Sequence, residues 1–433
     1  MFIFAEQFLP MLTIEQLKKD TEFAKKRLAH KNFKDIQFVD EIIQLDTERK
    51  SIKTKLDELL AQRNTLSKEV GVLMKSGEKE KAEEAKANIA DIKTEADQLE
   101  IQLKAVEHNQ FEKLVQLPNF PNKIVPKGTR AEDNEIVFCV DKIPELTDNA
   151  LPHWELAKKY DIIDFELGVK ITGAGFPIYK GKGAMLQRAL IAFFLDRAVA
   201  AGYHEVQVPH VVNKDSAFAT GQLPDKEGQM YYVNEDAFYL IPTAEVPITN
   251  IYRDEIIDEK HLPIKNVGYT PCFRREAGSY GKDVRGLNRL HQFDKVEIVR
   301  IEKPENSYLA LEEMLKHVES LLQALELPYR ILRLCGGDMT FSSALTYDFE
   351  VYSAAQKRWL EVSSVSNFES FQANRLKLRI KDKDNHKILA HTLNGSALAL
   401  ARIVACLLEN HQTGDSIRIP KALIPYTRFE KIG

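Results

Sequence analysis

An apolar heptad seam constrains this chain more than any other feature of its sequence. From Ile42 to Leu73, positions spaced by three and four residues carry apolar side chains, with two arginine exceptions. A second seam runs from Ala82 to Val106, after a short segment that contains Gly77. Two long helices joined by a glycine-containing turn fold back on each other. We therefore expect an antiparallel coiled-coil hairpin about 50 Å long, since each helical residue adds about 1.5 Å.

Charge does not identify a partner for this hairpin. The net charge is −4 on 433 residues, so an attraction to nucleic acid cannot be argued from it, and any basic site must be local. Within residues 40–106, acidic residues slightly outnumber basic ones. A coiled coil on its own is most often a spacer or a dimerisation element. A binding role for this one requires a partner large enough to match its reach.

Cysteine usage and hydropathy predict a reduced, cytoplasmic protein without a zinc site. The four cysteines are far apart and form no Cys-x-x-Cys pair, which favours free thiols. The opening MFIFAEQFLPML has no basic start and no small-residue cleavage site, so it does not fit a signal peptide. The apolar stretch at residues 189–201 is too short to cross a bilayer and contains two charges. We expect no membrane association.

Composition divides the chain into three segments. Residues 1–112 form a predicted N-terminal domain whose coiled-coil arm spans about 40–110, and residues 113–130, with three prolines and a glycine, form a predicted linker. Residues 131–433 alternate helical with strand-like stretches, several of them joined without room for a crossover helix. This pattern predicts an α+β domain, an antiparallel β-sheet flanked by helices. The predicted helices include Gly183–Ala201, Ser307–Leu325 and Ser396–Asn410.

The stretch RREAGSYGKDVRGLNRLHQFD at residues 274–294 carries four arginines, a lysine and three glycines between two strand-like segments. Such a density of positive charge and glycine predicts a basic flap, residues 277–286, that faces an anion. The planar fork of Arg274 suits a phosphate, and Phe293 offers a face for a base to stack on. Each residue alone is better explained by a solvated hairpin with cross-strand ion pairs. Together they favour a nucleotide.

Arg402 is the single charge in the apolar run from Ser396 to Leu408. A charge in such a run must reach water or meet an anion, because burying it unpaired is costly. On a helix predicted to start at Ser396, the small residues Asn394, Gly395 and Ser396 would let a ligand approach the backbone closely. This predicts a second ligand-facing position.

Two further groups offer oxygen atoms. Glu361 and Ser364 in RWLEVSS suit Mg²⁺, but residues three apart face opposite sides of a regular strand, so a bulge or a strand end near Ser363 is required. Thr243 and Glu245 in IPTAEVPIT could hold a small polar ligand. Taken alone, this segment is better explained as a helix start capped by Thr243.

These motifs together resemble one known family. FRREAGSYGKDVRGLNRLHQFDKVE resembles motif 2 of class II aminoacyl-tRNA synthetases, and HTLNGSALALAR resembles their motif 3. TAEVPITN, TGQLP and the N-terminal hairpin are similar to the bacterial seryl-tRNA synthetase family. The resemblance implies a class II fold and ATP-dependent activation of L-serine with Mg²⁺. It also implies transfer to tRNA(Ser), with tRNA(Sec) as a further candidate, and a homodimer whose interface includes Pro209.

The resemblance also implies residue roles. Arg274 and Arg402 would be the catalytic arginines, and Glu361 and Ser364 would hold the metal. The implied ATP-binding set is Arg274, Arg275, Glu276, Phe293, Glu361, Val362, Ser363, Ser364 and Arg402. The implied serine-binding set is Thr243, Ala244, Glu245, Glu297, Asn394 and Ser396. Which of Glu245 and Glu297 binds the serine hydroxyl and which binds its ammonium stays open.

Two other functions are compatible with parts of the pattern. A synthetase-derived ligase that loads a non-tRNA acceptor would dispense with the RNA-binding arm, yet the heptad seams are uninterrupted. A coiled-coil scaffold with a degenerate catalytic fold would have lost some of the charged residues at positions 274, 276, 361 and 402, yet all four are present. The sequence therefore favours the synthetase over both alternatives.

Overall fold

The computed structural model describes residues 12–146, 149–225, 227–277 and 285–433. The chain divides into two compact units at the peptide between Pro118 and Asn119. The helices are α1 (Ile14–Lys19), α2 (Thr21–His30), α3 (Phe38–Ser76), α4 (Lys79–Leu114), α5 (His153–Lys159), α6 (Phe165–Ile171), α7 (Gly181–Ala200), α8 (Lys214–Ala219), α9 (Glu245–Asn250), α10 (Ser307–Ala324), α11 (Phe371–Arg375), α12 (Leu400–Asn410) and α13 (Ile424–Thr427).

The strands lie in the second unit. They are β1 (Glu135–Cys139), β2 (Ile163–Asp164), β3 (Ile178–Tyr179), β4 (His204–Glu205), β5 (Val211–Val212), β6 (Tyr232–Val233), β7 (Phe238–Leu240), β8 (Ile256–Asp258), β9 (Ile264–Phe273), β10 (Gln292–Glu302), β11 (Tyr329–Arg333), β12 (Leu345–Ser353), β13 (Arg358–Glu369), β14 (Arg379–Lys381), β15 (Lys387–Leu389), β16 (His391–Ala399), β17 (Ile417–Arg418) and β18 (Lys431–Ile432). Within the described ranges, no helix is both long and apolar enough to span a bilayer.

The N-terminal unit contains the predicted helical hairpin. Helices α3 and α4 are antiparallel, since the Gln110 side chain near the end of α4 donates to the Ile42 carbonyl near the start of α3, at 3.2 Å. The turn between them is short, since α3 ends at Ser76 and α4 begins at Lys79. Gly77, with φ +82°, ends α3 in the left-handed conformation that glycine accommodates. The buried seam residues are Ile42, Ile52, Leu56, Ala82, Ala85, Ala96 and Val106. The hairpin prediction is confirmed.

The second unit is built on an eight-stranded sheet, in the order β1-β11-β12-β13-β16-β10-β9-β4. Neighbouring strands are antiparallel except β4 and β9, which are parallel. Helices α7, α10 and α12 pack against this sheet. Phe194 from α7 and Phe349 from β12 are among its largest fully buried side chains. The prediction of an antiparallel sheet flanked by helices is confirmed.

The predicted helix Ser396–Asn410 starts too early. Helix α12 begins at Leu400, and Asn394, Gly395 and Ser396 lie inside strand β16, which pairs with β10 on one side and β13 on the other. Pairing on both sides satisfies the backbone of this segment more fully than a helix end could, so tertiary context overrides its helical pattern. The small residues therefore reach the site from the centre of the sheet.

The predicted linker, residues 113–130, is divided between the two units. Helix α4 continues to Leu114. The Asn119 side chain donates to the carbonyls of Ser342 and Phe368, at 2.9 and 2.8 Å, and Val125 is buried in the core of the second unit. Residues after Pro118 are thus packed against the sheet domain, although their proline content resembles that of a free connector.

Candidate active site

Strands β9 and β10 bring Arg274 and Phe293 together. The guanidinium carbon of Arg274 lies 5.3 Å from the centroid of the Phe293 ring, within cation–π distance. Its Nε donates to the Pro242 carbonyl at 3.4 Å, and its backbone N–H donates to the His291 carbonyl at 3.0 Å. The arginine is therefore held beside the aromatic ring, as a site that binds a phosphate next to a base requires.

The segment after Arg274 is not a strand. Strand β9 ends at Phe273, so Arg274 and Glu276 lie beyond the strand. Glu276 has a left-handed backbone, φ +48°, and its carboxylate pairs with Arg289 at 2.9 Å. The side chain of Arg275 is exposed. Residues 278–284, the centre of the predicted basic flap, lie outside the described residues, and the flap stays a prediction.

A buried polar cluster surrounds Glu297 on β10. Its carboxylate accepts from Lys295 at 2.7 Å, from Asn394 at 3.1 Å and from Ser396 at 3.3 Å. Lys295 also donates to the Thr243 hydroxyl at 2.8 Å. Asn394 and Ser396 can reach Glu297 because β16 pairs with β10, with Ser396 directly opposite Glu297. Four of the predicted serine-binding residues are therefore joined by hydrogen bonds, through a lysine that we had not placed in the site.

Glu245 is a second buried carboxyl group in this region. It begins α9, whose N-cap is Ala244 and has no side-chain cap, so the prediction that Thr243 caps this helix is wrong. The Thr243 hydroxyl instead accepts the Glu245 backbone N–H from one position before the N-cap, at 3.3 Å. Gln372 donates to its carboxylate at 2.7 Å. Burial, together with the negative charge of Glu297, raises the pKa of Glu245 to about 7. Glu245 is thus close to half-protonated near neutral pH.

The side chains of two predicted site residues point elsewhere. Ala244 is fully buried in an apolar cluster with Ile248 and Val299. Val362 packs in the main hydrophobic core. At these two positions only the backbone is available to a ligand. Ser363 is buried as well, and its hydroxyl donates to the Ser396 carbonyl at 2.5 Å, which ties β13 to β16.

A bulge brings Glu361 and Ser364 to one face of β13. The register between β12 and β13 slips by one residue at Val362, so Ser364 lies opposite Asp348 whereas Glu361 lies opposite Glu350. These two partners are two residues apart on β12 and share a face, so Glu361 and Ser364 share a face of β13. The bulge predicted near this point is confirmed.

Asp348 belongs to the same group, and sequence reasoning missed it. Its Oδ1 is buried without a hydrogen-bond partner among the described residues. Burial and the negative charge of Glu361 hold the pKa of Asp348 well above its usual range. Carboxylates, a hydroxyl and an unpartnered buried oxygen form a donor set that fits Mg²⁺. The signal available in the sequence was the acidic residue at the centre of LTYDFEV, a segment that alternates apolar with polar residues.

Arg402 joins this group to the end of the basic stretch. Its Nη1 donates to the Glu361 carbonyl at 2.6 Å and lies 3.5 Å from the Glu361 carboxylate. Its Nε donates to the Asn288 carbonyl at 3.0 Å. The arginine therefore leaves the apolar face of α12 and lies between β13 and the segment that leads into β10.

Gln372 is a further residue of the site that the sequence did not indicate. It lies in the short helix α11 and accepts from the Thr392 hydroxyl at 2.7 Å, while its amide donates to Glu245. No motif or periodicity in FQANR points to this role. Its importance arises only because α11 packs under β16.

Both units of the chain match known family models. Residues 11–121 match the seryl-tRNA synthetase N-terminal domain, and residues 230–411 match the tRNA synthetase class II core domain (G, H, P, S and T). The serine--tRNA ligase of Salinibacter ruber is 50% identical over 425 residues, which cover 98% of this chain and 99% of that protein. The serine--tRNA ligase of Nautilia profundicola is 48% identical and is covered completely, over 96% of this chain.

Solved structures of seryl-tRNA synthetases are also similar to this chain. A seryl-tRNA synthetase from Pyrococcus horikoshii complexed with ATP has a TM-score of 0.87 at 33% identity, covering 97% of this chain and 99% of that one. A cytoplasmic serine-tRNA ligase from Naegleria fowleri in complex with AMP has a TM-score of 0.86 at 25% identity. The class II fold implied by the motifs is therefore present. With relatives half identical over almost their whole length, this chain belongs to the seryl-tRNA synthetase family of class II aminoacyl-tRNA synthetases.

Proposed function

We propose that this enzyme activates L-serine with ATP and then transfers the seryl group to tRNA(Ser). The observation that carries the proposal is the pair of buried carboxyl groups, Glu245 and Glu297, next to the Arg274–Phe293 pair. Pro242 accepts from Arg274, and the adjacent Thr243 accepts from Lys295, which pairs with Glu297. A small polar amino acid and a nucleotide can therefore be bound side by side.

The surroundings of the two carboxyl groups differ, and this suggests which part of serine each one binds. Glu297 already has a cation, Lys295, and two neutral donors. Glu245 receives a neutral amide from Gln372, and no lysine or arginine of the described residues forms an ion pair with it. A buried carboxylate without a cation is suited to an ammonium group. We therefore assign the serine ammonium to Glu245.

The serine hydroxyl is assigned to the cluster of Glu297, Asn394 and Ser396. These groups are buried and already arranged around one carboxylate. Alanine would fill the same space without a hydroxyl and would leave one of them unpaired. Sites built to hydrogen-bond a hydroxyl discriminate against the analogue that lacks it by up to about 10⁴ to 10⁵. This cluster supports selection of serine over alanine without a separate editing step.

The first reaction step needs positioning and charge neutralisation rather than a general base. A carboxylate oxygen of serine attacks the α-phosphorus of ATP, the new P–O bond forms seryl-adenylate, and the bond to the bridging oxygen breaks to release pyrophosphate. Arg274 is placed to neutralise the α-phosphate and Arg402 to contact the nucleotide from the other side, with Phe293 as the stacking surface. Arg275 and Glu276 belong to the same ATP-binding segment.

Mg²⁺, when bound, would neutralise phosphate oxygens, and Glu361 and Ser364 are the residues that would hold it. Their common face on β13 and the neighbouring Asp348 support this assignment. Val362 and Ser363 lie between these two residues and belong to the same proposed ATP-binding segment through their main-chain atoms. The protein's own part is to keep these oxygen atoms on one surface next to Arg402.

In the second step, the terminal ribose hydroxyl of the tRNA attacks the carbonyl carbon of seryl-adenylate, and AMP leaves. We assign RNA binding to the hairpin of α3 and α4, and we include tRNA(Sec) as a second acceptor. Double-stranded RNA is bound mostly through its backbone and 2′-hydroxyls, so the arm needs no strongly positive overall charge. The proposal also includes a cytoplasmic homodimer.

The proposed dimer contact lies around Pro209. This residue lines a groove of about 350 Å³ whose walls include Val211, Phe238 and Ile251. These apolar side chains are 39–49% exposed. A contiguous exposed apolar surface supports a protein interface at this place. Sedimentation of the purified protein tests the oligomeric state.

Serine-dependent exchange of labelled pyrophosphate into ATP tests the proposal. Serine should support exchange in a panel of the standard amino acids, and alanine and threonine should not. The same preparation should then attach labelled serine to tRNA(Ser). Exchange with a different amino acid would refute the assignment of the pocket. Exchange with serine, but transfer only to a protein or a small molecule, would favour the ligase with a non-tRNA acceptor.

A further inference from the structure

A buried histidine–glutamate pair lies outside all the residues assigned so far. His153, at the start of α5, and Glu409, near the end of α12, are both fully buried. The Glu409 carboxylate contacts the His153 ring Nδ1 at 2.7 Å and accepts the His153 backbone N–H at 3.0 Å. Burying an acid and an imidazole is costly unless their hydrogen bonds are satisfied. Their partners therefore indicate what the pair does.

The partner of the second ring nitrogen identifies the tautomer. The backbone N–H of Leu287 donates to Nε2 of His153 at 2.8 Å. Because Nε2 accepts a hydrogen bond, the ring proton must be on Nδ1, where it is donated to Glu409. Glu409 thus orients the imidazole ring so that the lone pair on Nε2 accepts the backbone N–H of Leu287. Leu287 lies six positions before Phe293.

Glycine is required at the next position for this contact to form. Gly286 has φ +66°, and a Cβ added there would lie 2.2 Å from Nε2 of His153. Only a residue without a side chain lets the backbone come so close to the ring. Beside it, the guanidinium of Arg285 lies 4.5 Å from the ring centroid of Trp154, the neighbour of the histidine. His153 therefore contacts the backbone at Leu287, and Trp154 contacts the side chain of Arg285 two positions earlier.

The Glu409 carboxylate is also linked to Arg402, through hydrogen bonds of Gln356 and Asn288. Gln356 donates to Glu409 at 3.0 Å and accepts from the Asn288 side chain at 3.0 Å. The Asn288 carbonyl in turn accepts Nε of Arg402. Glu409 is therefore linked by hydrogen bonds to Leu287 through His153, and to Asn288 through Gln356.

We propose that His153 and Glu409 are positioning residues for nucleotide binding. They fix residues 285–288, which we call the anchor segment, at the point where the basic stretch enters β10. The anchor segment supplies the carbonyl that orients the guanidinium of Arg402. This inference rests on the proposed function in one respect, namely that Arg402 contacts the nucleotide. Neither residue touches a substrate in the proposal.

Two substitutions of His153 separate its two hydrogen bonds. In His153→Asn the amide nitrogen can take the place of Nδ1 and donate to Glu409, but no acceptor reaches Leu287. In His153→Gln the amide oxygen can take the place of Nε2 and accept from Leu287. We expect KM for ATP in the exchange reaction to rise about tenfold in the Asn variant, the effect of one lost hydrogen bond of ordinary strength. It should stay within about threefold in the Gln variant.

The informative result is a change in KM for ATP without a change in KM for serine, which a loss of folded protein would not produce. KM for serine should be unchanged in both variants, since Glu245 and Glu297 are not part of the anchor segment. His411→Asn is the matched control, because His411 is also buried and its Nε2 contacts the Leu325 carbonyl at 3.0 Å. That variant should lower the melting temperature and leave KM for ATP unchanged.

Gly286→Ala tests the same contact from the other side and stands in if the histidine variants fail to fold. Its Cβ must displace the ring, so KM for ATP should rise at least as much as in His153→Asn. An equal effect of the Asn and Gln variants, an unchanged KM for ATP in His153→Asn and Gly286→Ala, or a parallel rise in KM for serine would overturn the proposal. Absence of serine-dependent exchange in the unmodified protein would instead refute the proposed function.

Discussion

The helical hairpin and the sheet unit are built on different kinds of contact. In the hairpin, every position of the heptad seam lies three or four residues from the next along α3 or α4, so a local repeat specifies the surface that the partner helix covers. In the sheet unit, the contacts that form the site join distant residues. Ser396 and Glu297, for example, are 99 positions apart. One region is specified by periodicity and the other by long-range pairing.

This difference predicts how substitutions act. A change in the hairpin should affect the hairpin and whatever binds to it, because most of its contacts join α3 to α4. A change in the sheet site should affect several ligands at once, since residues such as Lys295 link Thr243 to Glu297. The four experiments below test this contrast, from the largest expected effect to the smallest.

Removing Arg274 should have the largest effect. Arg274→Ala should reduce serine-dependent pyrophosphate exchange by about 10² to 10³, since a donor aimed at developing charge contributes about that much to the rate. Arg333→Ala is the matched control, because Arg333 lies in β11 of the eight-stranded sheet and pairs with Glu135 on the edge strand. That control should change exchange by less than about twofold. Equal losses in the two variants would contradict the assignment.

Shortening the arm should separate the two reaction steps. Replacing residues 60–95 with a Gly-Ser turn keeps the base of the hairpin, including Asp46, which contacts Lys18, Arg49 and Lys50. Charging of tRNA(Ser) should fall by at least about 100-fold, because the contacts with the RNA backbone are removed. Pyrophosphate exchange should stay within about twofold of the unmodified enzyme. A parallel loss of both activities would show that the regions are not independent.

The protonation of Glu245 should make serine binding depend on pH. The pKa of Glu245 is about 7 in the free protein. An ammonium group favours the carboxylate form, so serine affinity should be weaker below pH 7, rise as the carboxyl loses its proton, and level off above it. The expected change in KM for serine is about tenfold from about pH 6 to about pH 8.

Glu245→Gln is the control for this dependence. It should bind serine more weakly at every pH and show a flat profile over the same interval, because the amide does not titrate. If the unmodified enzyme also gave a flat profile, the ammonium assignment would be wrong. If affinity instead fell as pH rose, the carboxyl would have to bind serine in its protonated form, as expected for a hydroxyl partner.

Core truncations compare the stability of the two regions. Phe349→Ala should lower the free energy of unfolding by about 3–5 kcal/mol, because this fully buried ring leaves a cavity in the sheet unit. Ile52→Ala should lower it by about 2 kcal/mol, since this seam residue is 8% exposed and has one partner helix. Denaturant unfolding measures both. The arm variant should keep normal exchange activity, and a loss of exchange there would contradict the contrast.

Sequence reasoning succeeded where the signal was local. The seams predicted α3 and α4, which the structure contains. Residue type and motif singled out the arginines and the phenylalanine, and the resemblance implied the two carboxylates of the serine pocket; the roles of these residues stay predictions. It failed at Ser396, which lies in a strand, because a small-residue run next to an apolar helix pattern does not reveal pairing with β10 and β13. Gln372 and His153 were missed for the same reason, since their partners are distant in the chain.

The order of residues alone determined the coiled-coil hairpin, the α+β character of the remainder and the chemical groups available to bind serine and a nucleotide. Helical hydrogen bonds and the heptad repeat span only a few residues, so these properties can be derived from periodicity and composition. Only the tertiary structure decided that Lys295 pairs with Glu297 whereas no lysine or arginine of the described residues pairs with Glu245. It alone also decided that a bulge unites Glu361 with Ser364, and that a buried histidine contacts the anchor segment. Those properties depend on burial and on strand pairing between distant residues, which no local pattern encodes.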